Sequence, residues 1–207
     1  RGGIIRCAAD ARMLEMDGNT VRAVRLRDGT RVPCRNVILA VPQSRAGELF
    51  PRSCVRPDGL EAGQAAPVSP IVSMHLWFAD PFMEQDAVGL IGKTVHWVFR
   101  KKTHVSVVIS AAHDLVERSQ EELVRLAVQD LHDVFGNRVG QLRHALVIRE
   151  KRATVSLTPD TVRRRPGPVT SVANLFLAGD WTATGLPATI EGAILSGEKA
   201  ANMVLKQ

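Results

Sequence analysis

Leu177-Ala178-Gly179-Asp180-Trp181-Thr182-Ala183-Thr184-Gly185-Leu186-Pro187-Ala188-Thr189-Ile190-Glu191-Gly192-Ala193 is the stretch whose reading decides the architecture. Asn174 to Ala178 is short and apolar, as a buried strand is, and Gly179-Asp180 ends it. A loop containing Gly185 follows, and Pro187 is expected in the first turn of a helix running to about Leu205, where a missing backbone donor costs nothing. That helix carries Gly192, Ala193, Ser196, Gly197 and Ala200 three or four residues apart, so one face lacks bulk and another backbone or something flat can approach it. A strand, a Gly-Asp bend, a glycine-containing loop and a helix start together make a cradle for an anion or cofactor. The first helical turn leaves backbone donors unpaired and carries the positive dipole end, here at Ala188, Thr189 and Ile190. On geometry alone a second explanation stays open: small helix positions that only permit close packing on a sheet, with Asp180 as a turn residue.

Toward the N-terminus, strand signals follow one another at Ile4–Cys7, Ala11–Met16, Val21–Leu26, Thr30–Pro33 and Val37–Val41. Asp17-Gly18-Asn19 and Asp28-Gly29 supply the turn chemistry of an antiparallel meander. Val37-Ile38-Leu39-Ala40-Val41 is apolar on both faces, as a strand inside a helix-covered parallel sheet is. After Pro42 a short helix is expected over 43–50, then a Pro/Gly/Ala-rich loop from Pro51 to Pro70.

The middle of the chain reads as a second sheet: strands at Ile71–Phe78, Gly89–Phe99, Val105–Ala112 and Ala145–Ser156. Ser119-Gln120-Glu121-Glu122 is a capping box opening a helix with an apolar stripe at Leu123, Ala127, Leu131 and Val134, closed by Gly136. Thr158–Pro168 reads as a basic, proline-containing loop. His75 alternates with Ser73 and Trp77 on one strand face, and Trp97 stands on another strand; either face could line a substrate channel or simply be sheet core.

Composition narrows the classes. The 207 residues, 45% hydrophobic with a net charge of +6, are globular material. The basic clusters Arg100-Lys101-Lys102 and Arg163-Arg164-Arg165 are read as a solvated face, with anionic partners as the alternative. They are not interleaved with the aromatic residues of a nucleic-acid surface, so no nucleic-acid partner is expected. Cys7, Cys34 and Cys54 are too widely spaced for a Cys-x-x-Cys pair and are expected as free thiols, which points to a cytoplasmic protein. The six histidines show no His-x-x-x-His or His-Glu-x-x-His spacing, so no metal is expected, and neither a serine-hydrolase elbow nor a Walker loop occurs. The chain opens at Arg1-Gly2-Gly3 directly into strand-like residues and reads as a piece of something longer.

Leu177–Thr182 followed by Gly185–Ala193 and Ser196-Gly197 closely resembles the C-terminal flavin motif of the amine oxidase and phytoene desaturase superfamily. The nearest likeness is the squalene-associated FAD-dependent desaturase group, the hydroxysqualene dehydroxylases. It extends through His75-Leu76-Trp77-Phe78, His96-Trp97-Val98-Phe99, Val107–Ala112 and Glu150–Thr154, and so covers most of the chain. The resemblance implies a mixed α/β and α+β fold: the later part of a Rossmann-like FAD-binding domain, residues 1–50 and 168–207, around an inserted mixed or antiparallel-sheet substrate domain, residues 51–167.

The same resemblance implies FAD as cofactor. It would be held by Gly179 and Asp180 at the pyrophosphate and ribityl region, by Pro187, Ala188, Thr189 and Ile190 under the flavin ring, and by Ala11 at the adenine. It further implies a pocket for a long apolar isoprenoid lined by His75, Trp77 and Trp97, and reductive dehydroxylation of hydroxysqualene to squalene. Desaturation and amine oxidation by the same superfamily stay open. The superfamily's Gly-x-Gly-x-x-Gly run is absent from these residues, so the partner expected is an N-terminal half or a separate subunit, and a flavin-free binding or assembly module is the rival from another class. An apolar substrate of that kind also brings the expectation of peripheral contact with the inner membrane.

Overall fold

The computed structural model describes residues 2–57, 59, 60 and 66–206. The chain divides into two compact units, Arg1–Pro67 with Val155–Gln207, and Val68–Thr154. The sequence places its boundaries at 50/51 and 167/168, whereas the flanking residues fold with the first unit: Leu60 lies in that unit's core, and the Pro67 carbonyl accepts the Ser156 N–H at 2.7 Å.

In the first unit, β1 (Ala11–Asp17), β2 (Thr20–Leu26) and β3 (Arg31–Pro33) form the expected antiparallel meander. Gly18 takes a positive φ of 55° in the β1–β2 turn, and the Asp28 carboxylate accepts the Thr30 N–H in the next. The strand expected at Ile4–Cys7 does not form; the segment is exposed and pairs with no strand among the described residues, and a strand without a ladder partner is not stable in water.

β4 (Val37–Leu39) pairs in parallel with β10 (Leu175–Leu177), Val37 opposite Leu175 and Leu39 opposite Leu177. Asn174 fixes this crossing. Its side chain accepts the Val21 N–H at 2.8 Å and donates to the carbonyls of Val21 and Arg35, so one buried amide ties the meander to the parallel pair. α4 (Ile190–Leu205) lays Ala200 on Phe176 and Ala178, but Ile38, in register with Phe176, is 39% exposed. The both-faces burial expected of Val37–Val41 therefore does not extend to Ile38 among the described residues. α1 (Gln43–Glu48) follows Pro42 as expected. Residues 159–163 form α3 (Pro159–Arg163) where a loop was expected, because Thr158 and Thr161 cap each other reciprocally and Pro159 enters the first turn.

The second unit is a five-stranded sheet ordered β6-β7-β8-β5-β9, from β5 (Val68–Phe78), β6 (Ala87–Gly89), β7 (Trp97–Arg100), β8 (Val105–Ser110) and β9 (Leu142–Val155). The single strand expected over Gly89–Phe99 is two strands. Gly92 at φ +70° turns the chain, and the buried Asp130 carboxylate of α2 (Gln120–Phe135) accepts the Val95 N–H at 2.8 Å, which takes 91–95 out of the ladder while the Leu90 N–H still donates to the His96 carbonyl. α2 opens on the Ser119/Glu122 capping box and buries Leu123, Ala127, Leu131 and Phe135 against Val72, Met74, Leu76, Val98 and Val107. Phe135, not Val134, completes the stripe; Val134 points to solvent. Gly136, at φ +63°, closes the helix. Among the described residues no helix is long and apolar enough to cross a membrane.

Candidate functional site

The first unit carries the cradle. Gly179 follows β10 at φ +139°, a conformation open to glycine, and a Cβ there would lie 2.5 Å from the Trp181 Nε1. Trp181 is buried, its indole N–H donating to the Val41 carbonyl at 3.0 Å, so it has no room to yield. The Gly179 N–H donates to the Ser196 hydroxyl at 2.7 Å, which in turn donates to the Ala193 carbonyl. The small-residue face of α4 is thus met by the chain's own backbone at the strand end. Gly192 serves the same approach, since a Cβ there would stand 2.7 Å from the Pro187 carbonyl oxygen.

The helix starts later than the sequence suggests. Thr189 is the N-cap, its hydroxyl accepting the Gly192 N–H at 3.2 Å, and Ile190 is the first helical residue, so Pro187 and Ala188 stand before the first turn rather than in it. A threonine that can cap outcompetes a proline that merely tolerates the first turn. The donors exposed at this end are the N–H groups of Ile190 and Glu191, which have no hydrogen-bond partner among the described residues.

Asp180 is half-buried, and its carboxylate makes no hydrogen bond or ion pair among the described residues. Its carbonyl is held by Arg165, a residue sequence reasoning assigned to a solvated cluster. The Arg165 guanidinium donates to the carbonyls of Leu186 at 2.6 Å, Asp180 at 2.5 Å and Trp181 at 3.4 Å, clamping the loop between strand and helix. Burial pushes this guanidinium down from its ordinary value, and the nearby Asp180 charge pushes it back up. The Lys199 ammonium adds a hydrogen bond to the Thr184 carbonyl. Nothing in the Arg163-Arg164-Arg165 run marks the third as the inward one, apart from the Pro166 that follows it. Ala11 sits at the start of β1 opposite Leu26, and no hydrogen bond among the described residues joins it to 179–190.

The second unit presents one face of its sheet without a helix. Residues opposite one another across the ladder share a face, and alternation carries the face along each strand. Trp97 opposite Val108 opposite Ser73, and Phe99 opposite Ser106 opposite His75, therefore put Trp97, His75 and Trp77 on the side away from α2. Trp97 is 49% exposed and stacks on Phe99 with centroids 6.1 Å apart. The Trp77 ring lies 4.7 Å from His104 and 5.1 Å from His144, centroid to centroid. His104, on the turn between β7 and β8, also meets His75 at 3.0 Å, Nε2 to Nδ1; burial first, then the neighbouring His75 and Lys101, holds its pKa below the usual imidazole value. His104 and His144 were missed as members of this group because only the strand register brings them to Trp77. A cavity of about 420 Å³ opens beside His104, floored by Leu76, Phe78, Phe82 and Met83.

A mixed α/β chain with this strand, Gly-Asp turn and capped helix defines its class on comparison with known proteins. Residues 8–205 match the model of the flavin containing amine oxidoreductases, and the chain belongs to that family. Its sequence is 36% identical to the hydroxysqualene dehydroxylase of Sinorhizobium fredii, across all of this chain and 48% of that protein, and 37% identical to the one of Rhodopseudomonas palustris, across 99% of this chain and 47% of that protein. A 15-cis-phytoene desaturase of Synechococcus elongatus is 24% identical over 66% of the chain and 32% of its own length. The chain spans about half the length of the curated relatives it matches. Among solved structures it resembles a wild-type putrescine oxidase with putrescine bound (TM-score 0.70, 15% identity, 96% of this chain and 49% of that one) and the cyclohexylamine oxidase of Brevibacterium oxydans (TM-score 0.66, 14% identity, 89% and 46%). These likenesses establish the shared fold.

Proposed function

We propose that this chain is the part of an FAD-dependent oxidoreductase that closes the flavin site and lines the substrate site, and that the reaction is reductive dehydroxylation of hydroxysqualene, a long apolar isoprenoid alcohol, to squalene. The observation that carries the substrate is the likeness to hydroxysqualene dehydroxylases along the whole chain. The cradle supports the cofactor: two unpaired helix donors fit an anionic or carbonyl-bearing group, the half-buried Asp180 carboxylate fits the hydroxyls of a polyol chain, and the strand end that excludes any Cβ lets a flat group come close. In this reading the first unit holds FAD and the second holds substrate.

Asp180 would take the ribityl and pyrophosphate side, Gly179 would keep the backbone close, and the N–H groups of Ile190 and Glu191 would face the ring, with Pro187, Ala188 and Thr189 shaping the approach. Ala11 would meet the adenine. FAD supplies the two-electron redox chemistry; the chain supplies orientation and an apolar face. His75, Trp77 and Trp97 would line the isoprenoid, their rings stabilising positive charge on its allylic carbons. The Gly-rich phosphate turn would come from a segment or subunit outside these residues, since no such run occurs in them.

We assign the protein to the cytoplasm with peripheral contact at the inner membrane. In the structure Arg164 pairs with Asp160, Arg165 turns inward and Arg100 pairs with Asp86, which leaves Lys101 and Lys102 as the exposed cations of the 100–102 run for anionic lipid. Flotation with anionic liposomes at low salt tests this; absence of binding contradicts it. The function is tested by reducing the flavin-loaded protein anaerobically with dithionite, adding hydroxysqualene and identifying the product by mass spectrometry. Squalene supports the proposal. A second arm with oxidised flavin covers the alternative: loss of two hydrogens with the hydroxyl retained there, and no squalene in the reduced arm, makes it a desaturase instead.

A further inference from the structure

On the open face of the second unit's sheet, His75 and His104 form a hydrogen-bonded imidazole pair, Nδ1 to Nε2 at 3.0 Å. His104 Nδ1 lies 3.3 Å from the Thr103 hydroxyl, so its second nitrogen has a polar neighbour too. The remaining nitrogen of the chain, His75 Nε2, has no hydrogen-bond partner among the described residues and sits on the face that carries Trp77 and Trp97. The Trp77 ring lies 6.3 Å from His75 and 4.7 Å from His104, a wall against which both imidazoles rest.

Such a pair can share one proton across its hydrogen bond, whereas a second would set two like charges at one short contact. It is a one-proton store with a single outward donor. The charged and titratable groups around it are Lys101 on the same turn, Arg100, Lys102 and Asp80 around the adjoining cavity, and His144 beyond Trp77; no carboxylate bonds either ring among the described residues. No carboxylate among the described residues locks the pair into an ion pair.

Resting on the dehydroxylation proposed above, we propose that His75 is the general acid that protonates the departing hydroxyl of an allylic alcohol bound on this face, with His104 as the positioning residue that shares and restores its proton. The His75 Nε2–H gives its proton to the hydroxyl oxygen as the carbon–oxygen bond breaks, and water leaves. Reduced flavin, when bound, would supply the hydride that the allylic carbon takes up, its two-electron oxidation balancing the reduction of the carbon. The pair, now neutral, regains one proton from solvent.

The test uses the protein made from its whole gene with FAD bound, as wild type, His75→Gln and His104→Gln, and compares the allylic alcohol with the matching allylic chloride, which departs without a proton. His75→Gln is expected to lower kcat on the alcohol about 10²–10⁴-fold, with the loss on the chloride at least about tenfold smaller, since only the alcohol needs the acid. Wild-type kcat on the alcohol falls as pH rises through the pair's pKa, and His104→Gln shifts that limb while losing less rate. Equal losses on both substrates, or no loss on the alcohol, overturn the assignment, the first because it is what a merely structural role would produce. The pair is also tested without turnover, by nitrogen NMR of the imidazoles across pH. One shared first proton supports the store, and two independent titrations overturn it. Wild type inert toward both substrates overturns the dehydroxylation reading, while the NMR result still decides on the pair.

Discussion

The cradle of the first unit and the open sheet face of the second are built in opposite ways. The cradle is a contiguous run in which backbone does the work: Gly179 and Gly192 are places where a single added carbon collides, and Asp180 and the Ile190 and Glu191 N–H groups follow from chain direction alone. The sheet face is assembled from separate segments, with His75, Trp77, Trp97, His104 and His144 brought together by strand register. Side chains do the work there. A site of the first kind tolerates almost no change at its glycines. A site of the second kind tolerates change at each ring, provided the register is kept.

The sharpest way to break this contrast is Gly179→Ala. The positive φ and the contact with Trp181 predict a loss of about 4 kcal/mol in stability, the sum of backbone strain and overpacking, together with loss of flavin, read by chemical denaturation and absorbance. A near-neutral Gly179→Ala would mean that Trp181 can move and that the cradle is not backbone-limited. Leu131→Ala attacks the other kind of construction, emptying the contact of α2 with the sheet. It should cost about 2–5 kcal/mol and lower hydrogen-exchange protection in β5 and β8 more than in β10 and α4.

Arg165→Gln removes the clamp on the 180–186 loop while keeping a polar side chain. The expected cost is about 1–3 kcal/mol, with a weakened hold on flavin; unchanged flavin affinity would reduce Arg165 to a surface residue, as the sequence suggested.

The smallest effect is one of pH. His104 is held below its ordinary pKa, so the folded state prefers it neutral. That contribution is fully present above the imidazole's unfolded pKa, about 6.5, and is lost as pH falls through the depressed folded value. Denaturation midpoints should drop between neutral and mildly acidic pH, and His104→Gln should flatten part of that slope.

This division also explains what was legible. The Gly-Asp turn, the buried strand before it, the capping box of α2 and the meander could be read because each is fixed by neighbours in sequence. The start of α4 was misplaced by a proline that suits a first turn, although Thr189 was there to cap. The Gly89–Phe99 segment was read as one strand because its composition is strand-like, and only Gly92 and the distant Asp130 break it. Arg165, His104 and His144 were out of reach, since their partners lie 15 or more residues away and depend on tertiary packing. The alternation of His75 with Trp77 was readable as a face, but the His104 and His144 rings that meet Trp77 there were not.

The central claim is that the Gly179–Glu191 cradle holds FAD. Its most direct test is the flavin-to-protein ratio, by visible absorbance, of the protein made from its whole gene, compared between wild type and Asp180→Ala. Near-stoichiometric FAD in wild type, with most of it lost in Asp180→Ala, is the result expected. Full FAD retention in the variant, or none in the wild type, would contradict the account.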